Sequence, residues 1–173
     1  LPPDQYLALV IQATEGCSYN RCTFCSFYRD RPFRIKSPAE LQTHVDELKT
    51  FFGPALGLRR SLFLADANAL VAPMPRIRSW LDQIEAAGMH RRGGIFSFID
   101  AFDVGRKTAA EWAELGSRGL RRIYIGMESG DDALLRFLAK PGTANDVVDA
   151  VRTLKAGNVA VSVIIMTGAG GQQ

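Results

Sequence analysis

The fold is decided by the stretch IYIGMESGDDALLRFLAKPGTANDVVDAVRTLKAGNVAVSVIIMTGAGG, which spans residues 123–171. Its pattern predicts a strand over 121–129, a short helical piece over 131–139, a helix over 143–158 and a second strand over 159–171. Both strands are almost continuously apolar, which is typical of strands that are buried on both faces in a parallel sheet. The stretch therefore predicts a strand–helix–strand unit of an α/β protein.

The same strand-then-helix unit repeats through the rest of the chain. A helix over 37–53 has the clearest start, because Ser37 and Glu40 form a capping box around a proline at the first helical position. The remaining elements are strands over 6–16, 61–70 and 93–102 and helices over 75–88 and 108–119. Five strands separated by helices predict a parallel sheet, wound either as an open doubly wound sheet or as a barrel.

Polar side chains occur at the end of each predicted strand. These residues are Glu15, then Asp66 and Asn68, then Asp100 and Asp103, then Glu128 and Ser129, and finally Thr167 to Gly171. In a barrel, all five strand ends would meet at one rim, which is where barrel enzymes place their active sites. Strands of any sheet must exit into polar loops, so this pattern supports a barrel without requiring one.

Length and composition indicate one domain over residues 1–173, because a chain of 173 residues can bury one sizeable core. The net charge is weakly positive, 21 − 18 = +3, which gives no indication of nucleic-acid binding. No apolar run reaches the roughly 20 residues that a membrane span needs. The basic patch Arg29, Arg31, Arg34 and Lys36 is expected to be a solvated loop. Because the chain starts at Leu1 and stops just past the fifth strand, we expect it to be incomplete, with at least one further unit missing.

All three cysteines of the chain lie within GCSYNRCTFC, residues 16–25, directly after the first strand. Cys17, Cys22 and Cys25 have the spacing C-x₄-C-x₂-C, which lets one loop curl three thiolates around an iron–sulfur cluster or a zinc ion. Structural zinc takes four protein ligands. We expect His44 and His90 to be fillers far from this loop, which leaves Glu15 as the nearest fourth ligand. The clustered thiols also indicate a reducing, cytoplasmic compartment.

Three cysteines suit a [4Fe–4S] cluster with one open position. They bind three of its irons and leave the fourth iron without a protein ligand. A substrate or cofactor can bind at that open position, just as it does at a catalytic zinc site. From the residues alone, we favour an iron–sulfur site over zinc and over inert cysteines.

The loop GCSYNRCTFC and the stretch over 123–171 both resemble the radical S-adenosylmethionine (radical SAM) superfamily, in the branch with Elongator-type, methylthiotransferase-type and coproporphyrinogen-oxidase-type members. The commonest spacing there is C-x₃-C-x₂-C, so this loop carries one extra residue. The resemblance implies a partial (β/α)₆ TIM-like barrel, truncated after about strand five. It also implies that S-adenosylmethionine binds the open iron and is cleaved reductively to a 5′-deoxyadenosyl radical, which takes hydrogen from an unknown substrate. An electron donor of the flavodoxin or ferredoxin type would be needed.

The resemblance also implies contacts for single residues of this chain. Cys17, Cys22 and Cys25 match the cluster ligands, and Phe24 matches an aromatic residue near the adenine. Other cofactor contacts implied by position are Asp66 and Asn68 for the ammonium group, Glu128 and Ser129 for the ribose or methionyl part, and Ser97, Ile164 and Gly168 around the adenine. The family's usual glutamate after strand two is absent, because Asp66-Ala67-Asn68 occupies that place. No residue is assigned as catalytic.

Two other functions fit the same residues. The first is a non-catalytic zinc- or iron–sulfur-binding α/β module. The second is a nucleotide-binding domain that uses the Gly-rich end GAGG, residues 168–171, for which a following helix would be needed. Glu128 also has a purely structural alternative, in which it pairs with Arg122 or caps a helix that starts near Asp131.

Overall fold

A computed structural model of the chain describes residues 1–89 and 93–171. It has seven strands and six α-helices within these ranges. The strands are β1 Leu9–Gln12, β2 Thr14–Glu15, β3 Arg34–Ile35, β4 Leu62–Ala65, β5 Ile95–Phe98, β6 Leu120–Glu128 and β7 Ala160–Ile165. The α-helices are α1 Pro38–Phe52, α2 Met74–Ala86, α3 Ala101–Val104, α4 Ala109–Ser117, α5 Asp132–Phe137 and α6 Ala144–Ala156. Short 3₁₀ helices cover Pro3–Gln5, Gly53–Leu58 and Ala69–Val71.

Five strands form one parallel sheet in the order β1-β4-β5-β6-β7, which confirms the predicted α/β class. The order follows the chain without a reversal, so each crossover joins neighbouring strands. An open doubly wound sheet reverses its order at a switch point, whereas a barrel does not. The topology is therefore that of a barrel segment, and β2 and β3 form a separate antiparallel pair at its rim.

The helices cover one face of the sheet and leave the other face concave and open. The core between sheet and helices includes the fully buried rings of Trp80 and Trp112. On the opposite face a smaller cluster contains Phe63 and Tyr124, with Phe98 packed against it. The Tyr124 hydroxyl donates a hydrogen bond of 2.6 Å to Asp4 in the N-terminal segment. Aromatic rings thus fill part of the concave face.

The predicted strands are longer than the real ones at their C-terminal ends. The strand predicted over 61–70 ends at Ala65, and the strand predicted over 93–102 ends at Phe98. The strand predicted over 6–16 divides into β1 and β2, which pair in different sheets. Beyond these points the backbone no longer has a neighbouring parallel strand to bond, so the apolar sequence continues into short helices and turns.

The helix starts agree with the capping patterns. The Ser37 hydroxyl accepts a bond of 3.2 Å from the Glu40 N–H, and the Glu40 carboxylate accepts one of 2.8 Å from the Ser37 N–H. In α1, Leu41 and Val45 are buried, as the apolar stripe predicts. None of the helices within residues 1–89 and 93–171 combines the length and apolar character that crossing a membrane requires.

Candidate cofactor site

The cysteine loop leaves the rim after β2 and returns along β3, so the β2–β3 pair closes its base. Gly16 sits at this base with a φ of 72°. A Cβ atom there would lie 2.7 Å from the Arg31 carbonyl oxygen, which is closer than real Cβ atoms approach backbone. Only glycine fits both the left-handed backbone and this close approach.

Hydrogen bonds inside the loop hold the cysteines in place. The Asn20 side-chain amide donates to the Tyr28 carbonyl at 2.6 Å, and the Asn20 N–H points at Cys17 Sγ, 3.4 Å away. The Cys25 N–H bonds the Cys22 carbonyl at 3.3 Å. All three cysteines are free thiols of intermediate exposure. Burial raises the pKa of Cys22, and the nearby charge of Lys140 opposes that rise.

The donor set of this loop fits an iron–sulfur cluster better than a zinc ion. In residues 1–89 and 93–171, no three His, Cys, Asp or Glu side chains converge as ligands of a single ion. A cluster does not need such convergence, because each cysteine binds a different iron. The fourth ligand considered for zinc is already used, since Glu15 forms ion pairs with Arg34 at 2.7 Å and Lys36 at 3.9 Å.

His44 has a hydrogen-bond partner outside the cysteine loop. His44 is half-buried in α1, where its Nε2 accepts a hydrogen bond of 3.1 Å from the Gln12 N–H. Burial lowers the pKa of His44, with a smaller contribution from Lys36, so the neutral ring is the favoured form. His90, the other histidine expected to be a filler, lies outside the described residues.

The loop is tied to the residues after α5 and to the residue after β4 by contacts that do not involve sulfur. The Tyr19 hydroxyl donates to the Ala139 carbonyl at 2.8 Å, and the Thr23 N–H donates to the Leu138 carbonyl at 2.9 Å. On the other side, the Tyr28 hydroxyl donates to Asp66 Oδ1 at 2.6 Å. The cysteine loop is therefore held against the residues that follow α5 and β4.

Asp66 is at the centre of a network directly after β4. Its Oδ2 accepts a bond of 3.3 Å from the Gln12 side chain, and its N–H donates to the Thr14 hydroxyl at 3.0 Å. Together with Tyr28, these contacts join β1, β2, the end of β4 and the cysteine loop. Asp66 also lines a cleft of about 420 Å³. The other lining residues are Gln12, Glu15, Asp30, Arg31, Pro32 and Arg34.

The Asn68 side chain braces the cysteine loop, whereas the sequence predicts that it contacts the cofactor. Its side chain is fully buried and donates to Asp103 Oδ2 at 2.7 Å and to the Ser18 hydroxyl at 2.9 Å. Asn68 Oδ1 has no hydrogen-bond partner in the described part of the chain. Asp103 is buried as well, which raises its pKa. Asn68, itself bonded to Asp103, therefore holds the cysteine loop at Ser18.

The structure corrects the placement expected for Ser97. Ser97 alternates with Phe96 and Phe98, whose rings belong to the concave face, so its own side chain faces the helices. It is fully buried and donates to the Leu64 carbonyl at 2.7 Å. The Ser97 hydroxyl is therefore already bonded within the sheet, away from the concave face.

Glu128 lies at the end of β6 and has a partner that the sequence did not suggest. Lys140 Nζ is 3.1 Å from Asp100 Oδ1 and 3.6 Å from Glu128 Oε1. Burial alone would lower the pKa of Lys140, but the two carboxylates outweigh burial and the pKa is raised. Lys140 therefore stays cationic and joins the ends of β5 and β6 near the cysteine loop. Its sequence signal is weak, since it stands alone in the loop between α5 and α6.

The structural alternatives for Glu128 are wrong. Arg122 lies 3.5 Å from Asp4 instead, and α5 is capped by Asp131 itself, whose carboxylate accepts from the Ala133 N–H at 2.7 Å. The Ser129 hydroxyl accepts a bond of 3.0 Å from the Asp131 N–H.

The other three expected cofactor contacts are accessible. Phe24 is 40% exposed, and Ile164 is 39% exposed on the concave side opposite Gly126 in β6. Gly168 has a φ of 78° in the turns after β7. The GAGG segment closes with a bond of 3.1 Å from the Gly171 N–H to the Gly168 carbonyl.

The basic patch divides into paired and unpaired members. Arg34 and Lys36 form ion pairs with Glu15, and Arg34 also contacts Glu40. Arg29 and Arg31 are exposed and enter none of the ion pairs found among the described residues. The patch is thus partly structural and partly a solvated cationic surface.

Comparisons with known proteins agree with this architecture. The curated relative 4′-phospho-dehydrooxetanocin synthase from Priestia megaterium is 25% identical over 164 residues, which cover 86% of this chain and 22% of that protein. Among solved structures, the cobalamin-dependent S-adenosylmethionine radical enzyme OxsB with aqua-cobalamin bound is similar with a TM-score of 0.69 at 23% identity, covering 91% of this chain and 23% of that one. Methylornithine synthase (PylB) gives a TM-score of 0.63 at 17% identity, covering 95% of this chain and 46% of that one.

The archaeal Methanocaldococcus infernus Elp3 gives a TM-score of 0.58 at 15% identity, covering 96% of this chain and 39% of that one. At these identities the structural similarities show the fold. The chain spans less than a quarter of the length of the curated relative. The model of the radical SAM superfamily matches residues 11–173, nearly the whole chain and including all three cysteines. The chain therefore belongs to the radical SAM superfamily.

Proposed function

We propose that this domain binds a [4Fe–4S] cluster through Cys17, Cys22 and Cys25 and S-adenosylmethionine at the rim beside it. The observation that carries the proposal is the three-thiol loop, braced against the residues after α5 and β4, whose nearest candidate for a fourth ligand among the described residues, Glu15, is held in ion pairs. When bound and reduced, the cluster supplies the electron that splits S-adenosylmethionine into methionine and a hydrogen-abstracting 5′-deoxyadenosyl radical. The protein's own part is to bind, orient and shield the cofactors.

The loop residues prepare the sulfur ligands. Asn20 directs its N–H at Cys17 Sγ, which helps to fix the position of that sulfur. Lys140 places a buried positive charge near Cys22, and this charge opposes the effect of burial on that thiol. The protein thereby compensates part of the negative charge that three thiolates bring to a partly buried loop.

The strand ends offer groups for S-adenosylmethionine. We propose that Asp66 accepts the ammonium group, because its carboxylate lines the cleft and its hydrogen-bond partners Tyr28 and Gln12 are neutral donors. Glu128 and Ser129 are assigned to the ribose or methionyl part. Phe24, Ile164 and Gly168 are assigned to the adenine, since all three are accessible. Asn68 and Ser97 are kept out of this set because both side chains are fully buried.

The proposed chemistry requires an external electron donor. A flavodoxin- or ferredoxin-type protein in the cytoplasm would supply the electron, and an acidic surface on that donor would fit a cationic surface on this domain. The exposed, unpaired Arg29 and Arg31 beside the cysteine loop give this surface the complementary charge. The substrate that loses hydrogen stays unassigned.

Anaerobic reconstitution of the intact protein with iron and sulfide tests the proposal. The expected product is a brown protein with about four irons per chain, which releases 5′-deoxyadenosine when S-adenosylmethionine and dithionite are added. The variant Cys22→Ala should lose the cluster, whereas Ser26→Ala, at an exposed position of the same loop, should load normally. Tight binding of one zinc ion without cluster assembly would favour the non-catalytic module instead.

A further inference from the structure

We propose that Tyr28 is a positioning residue, which fixes the Asp66 carboxylate relative to the cysteine loop so that it can receive the ammonium group of S-adenosylmethionine. This inference rests on the function proposed above. Tyr28 lies outside the cysteine motif and was not singled out from the sequence. Its hydroxyl is 2.6 Å from Asp66 Oδ1, one of the shortest side-chain contacts between the loop and the sheet.

The position of the Tyr28 ring is itself fixed by the loop backbone. The Tyr28 carbonyl accepts a bond of 2.6 Å from the Asn20 side chain and one of 2.9 Å from the Arg31 N–H. Asn20 in turn contacts Cys17 Sγ through its N–H. The chain of contacts therefore runs from a cysteine sulfur, through Asn20 and Tyr28, to the carboxylate at the end of β4.

Asp66 is held from the opposite side as well. Its N–H bonds the Thr14 hydroxyl, and its Oδ2 accepts from the Gln12 side chain. The carboxylate therefore has one neutral donor on each oxygen, and the conformation of the group is determined by the loop and by β1 together. If the Tyr28 hydroxyl is removed, Oδ1 loses its partner and the carboxylate is free to turn away from the loop.

The charge of Asp66 remains available to a ligand. None of the ion pairs among the described residues includes Asp66. Each carboxylate oxygen has two lone-pair sites, so both oxygens can accept a further bond. Burial raises the pKa of Tyr28, with a further rise from Asp66, so the hydroxyl keeps its proton and stays a donor at neutral pH. A carboxylate oriented by neutral donors and open to a cleft is suited to a cationic ammonium group.

A purely structural role for Tyr28 makes a different prediction. If the hydroxyl only kept the loop folded, its loss would reduce cluster loading, and any loss of cofactor affinity would follow from that. A positioning role leaves the cluster intact and weakens cofactor binding. Tyr19 provides a matched control, because it is a tyrosine in the same loop whose hydroxyl bonds the Ala139 carbonyl instead of Asp66.

The test uses the intact, cluster-loaded protein under anaerobic conditions. Iron and sulfide content are measured first. The affinity for S-adenosylmethionine is then measured by equilibrium binding and by the change in the electron paramagnetic resonance spectrum of the reduced cluster. For Tyr28→Phe we expect unchanged iron content and about tenfold weaker binding, since a hydrogen bond to a charged group is lost. For Tyr19→Phe we expect wild-type affinity within about twofold.

A double-mutant cycle with Asp66→Asn separates coupling from independent effects. If Tyr28 acts through Asp66, then Tyr28→Phe should add little to the weakening already caused by Asp66→Asn. The proposal is overturned if Tyr28→Phe loses iron, if its affinity matches wild type or the Tyr19 control, or if the two substitutions are additive. Failure of the proposed function itself has a separate signature, because wild-type protein loaded with about four irons would then not bind S-adenosylmethionine at all.

Discussion

Replacing Lys140 by methionine should destabilise the domain by about 3 kcal/mol, because it leaves two partly buried carboxylates without their cation. Lys140 is 10% exposed, and its partners Asp100 and Glu128 are 18% and 13% exposed. Breaking a buried ion pair from one side costs about 3–5 kcal/mol. We take the lower end because the rim admits some water to both carboxylates.

The magnitude can be measured by urea unfolding followed by circular dichroism. With a slope of about 2 kcal/mol per molar urea, a loss of about 3 kcal/mol lowers the midpoint by about 1.5 M. The control variant Lys155→Met removes an exposed lysine from α6 and should change stability by less than about 0.5 kcal/mol. The slope should be the same in wild type and variants, so that midpoints can be compared directly.

A second substitution distinguishes a lost charge from lost packing. Adding Asp100→Asn to Lys140→Met removes one of the two uncompensated carboxylates, so the double variant should be more stable than Lys140→Met alone. If the loss arose from packing of the lysine stem, the second substitution would restore nothing. A stability of Lys140→Met within about 1 kcal/mol of wild type would refute the reasoning, since the carboxylates would then be solvated well enough to need no cation.

Three further predictions concern backbone fit and pH. Gly16→Ala should prevent cluster loading, because its Cβ would meet the Arg31 carbonyl, whereas Gly57→Ala, with open space around it, should load normally on iron analysis. Burial lowers the pKa of Lys107 to about 8 from 10.5. As pH rises, the folded state releases the Lys107 proton at a lower pH than the unfolded state does. The wild type should therefore gain stability relative to Lys107→Met as pH rises from about 8 to 10.5, which thermal unfolding at a series of pH values would measure. The lowered pKa of His44 acts in the same direction, so stability should fall as pH drops below 6.5 and should fall less in His44→Gln.

The fold was largely predictable because its signals are local and periodic. Capping boxes mark the starts of α1 and α6 through Ser37 and Thr143, and continuous apolar runs mark the parallel strands. The strand ends were not predictable to the residue. Ala69 and Leu70 are as apolar as the strand before them, yet they belong to a short helix that packs into the core. These residues are apolar because they are buried in the core and not because they belong to a strand. The sequence alone does not distinguish these two reasons.

The cysteines were predictable as a site because three thiols in one polar loop have few other uses. Lys140 and Tyr28 were not, because their roles depend on partners 40 and 38 residues away along the chain. A lysine in a loop and a tyrosine after a cysteine motif are common features with no distinctive pattern. Their significance follows from the parallel sheet, which brings the ends of β4, β5 and β6 to the same rim as the cysteine loop.

The direction of side chains along a strand decides which polar residues can serve this rim. In β5 the sequence Phe96-Ser97-Phe98 places its one polar side chain toward the helices and its rings toward the concave face. Two residues after Phe98, Asp100 lies just beyond the strand and its carboxylate reaches Lys140 at the rim. Because side chains alternate along a strand, Ser97 and Asp100 differ in orientation although both seemed suited to the site. A polar residue near a strand end is therefore a candidate functional residue only if its side chain lies on the same face as the site. The buried residues of the same strand show which face that is.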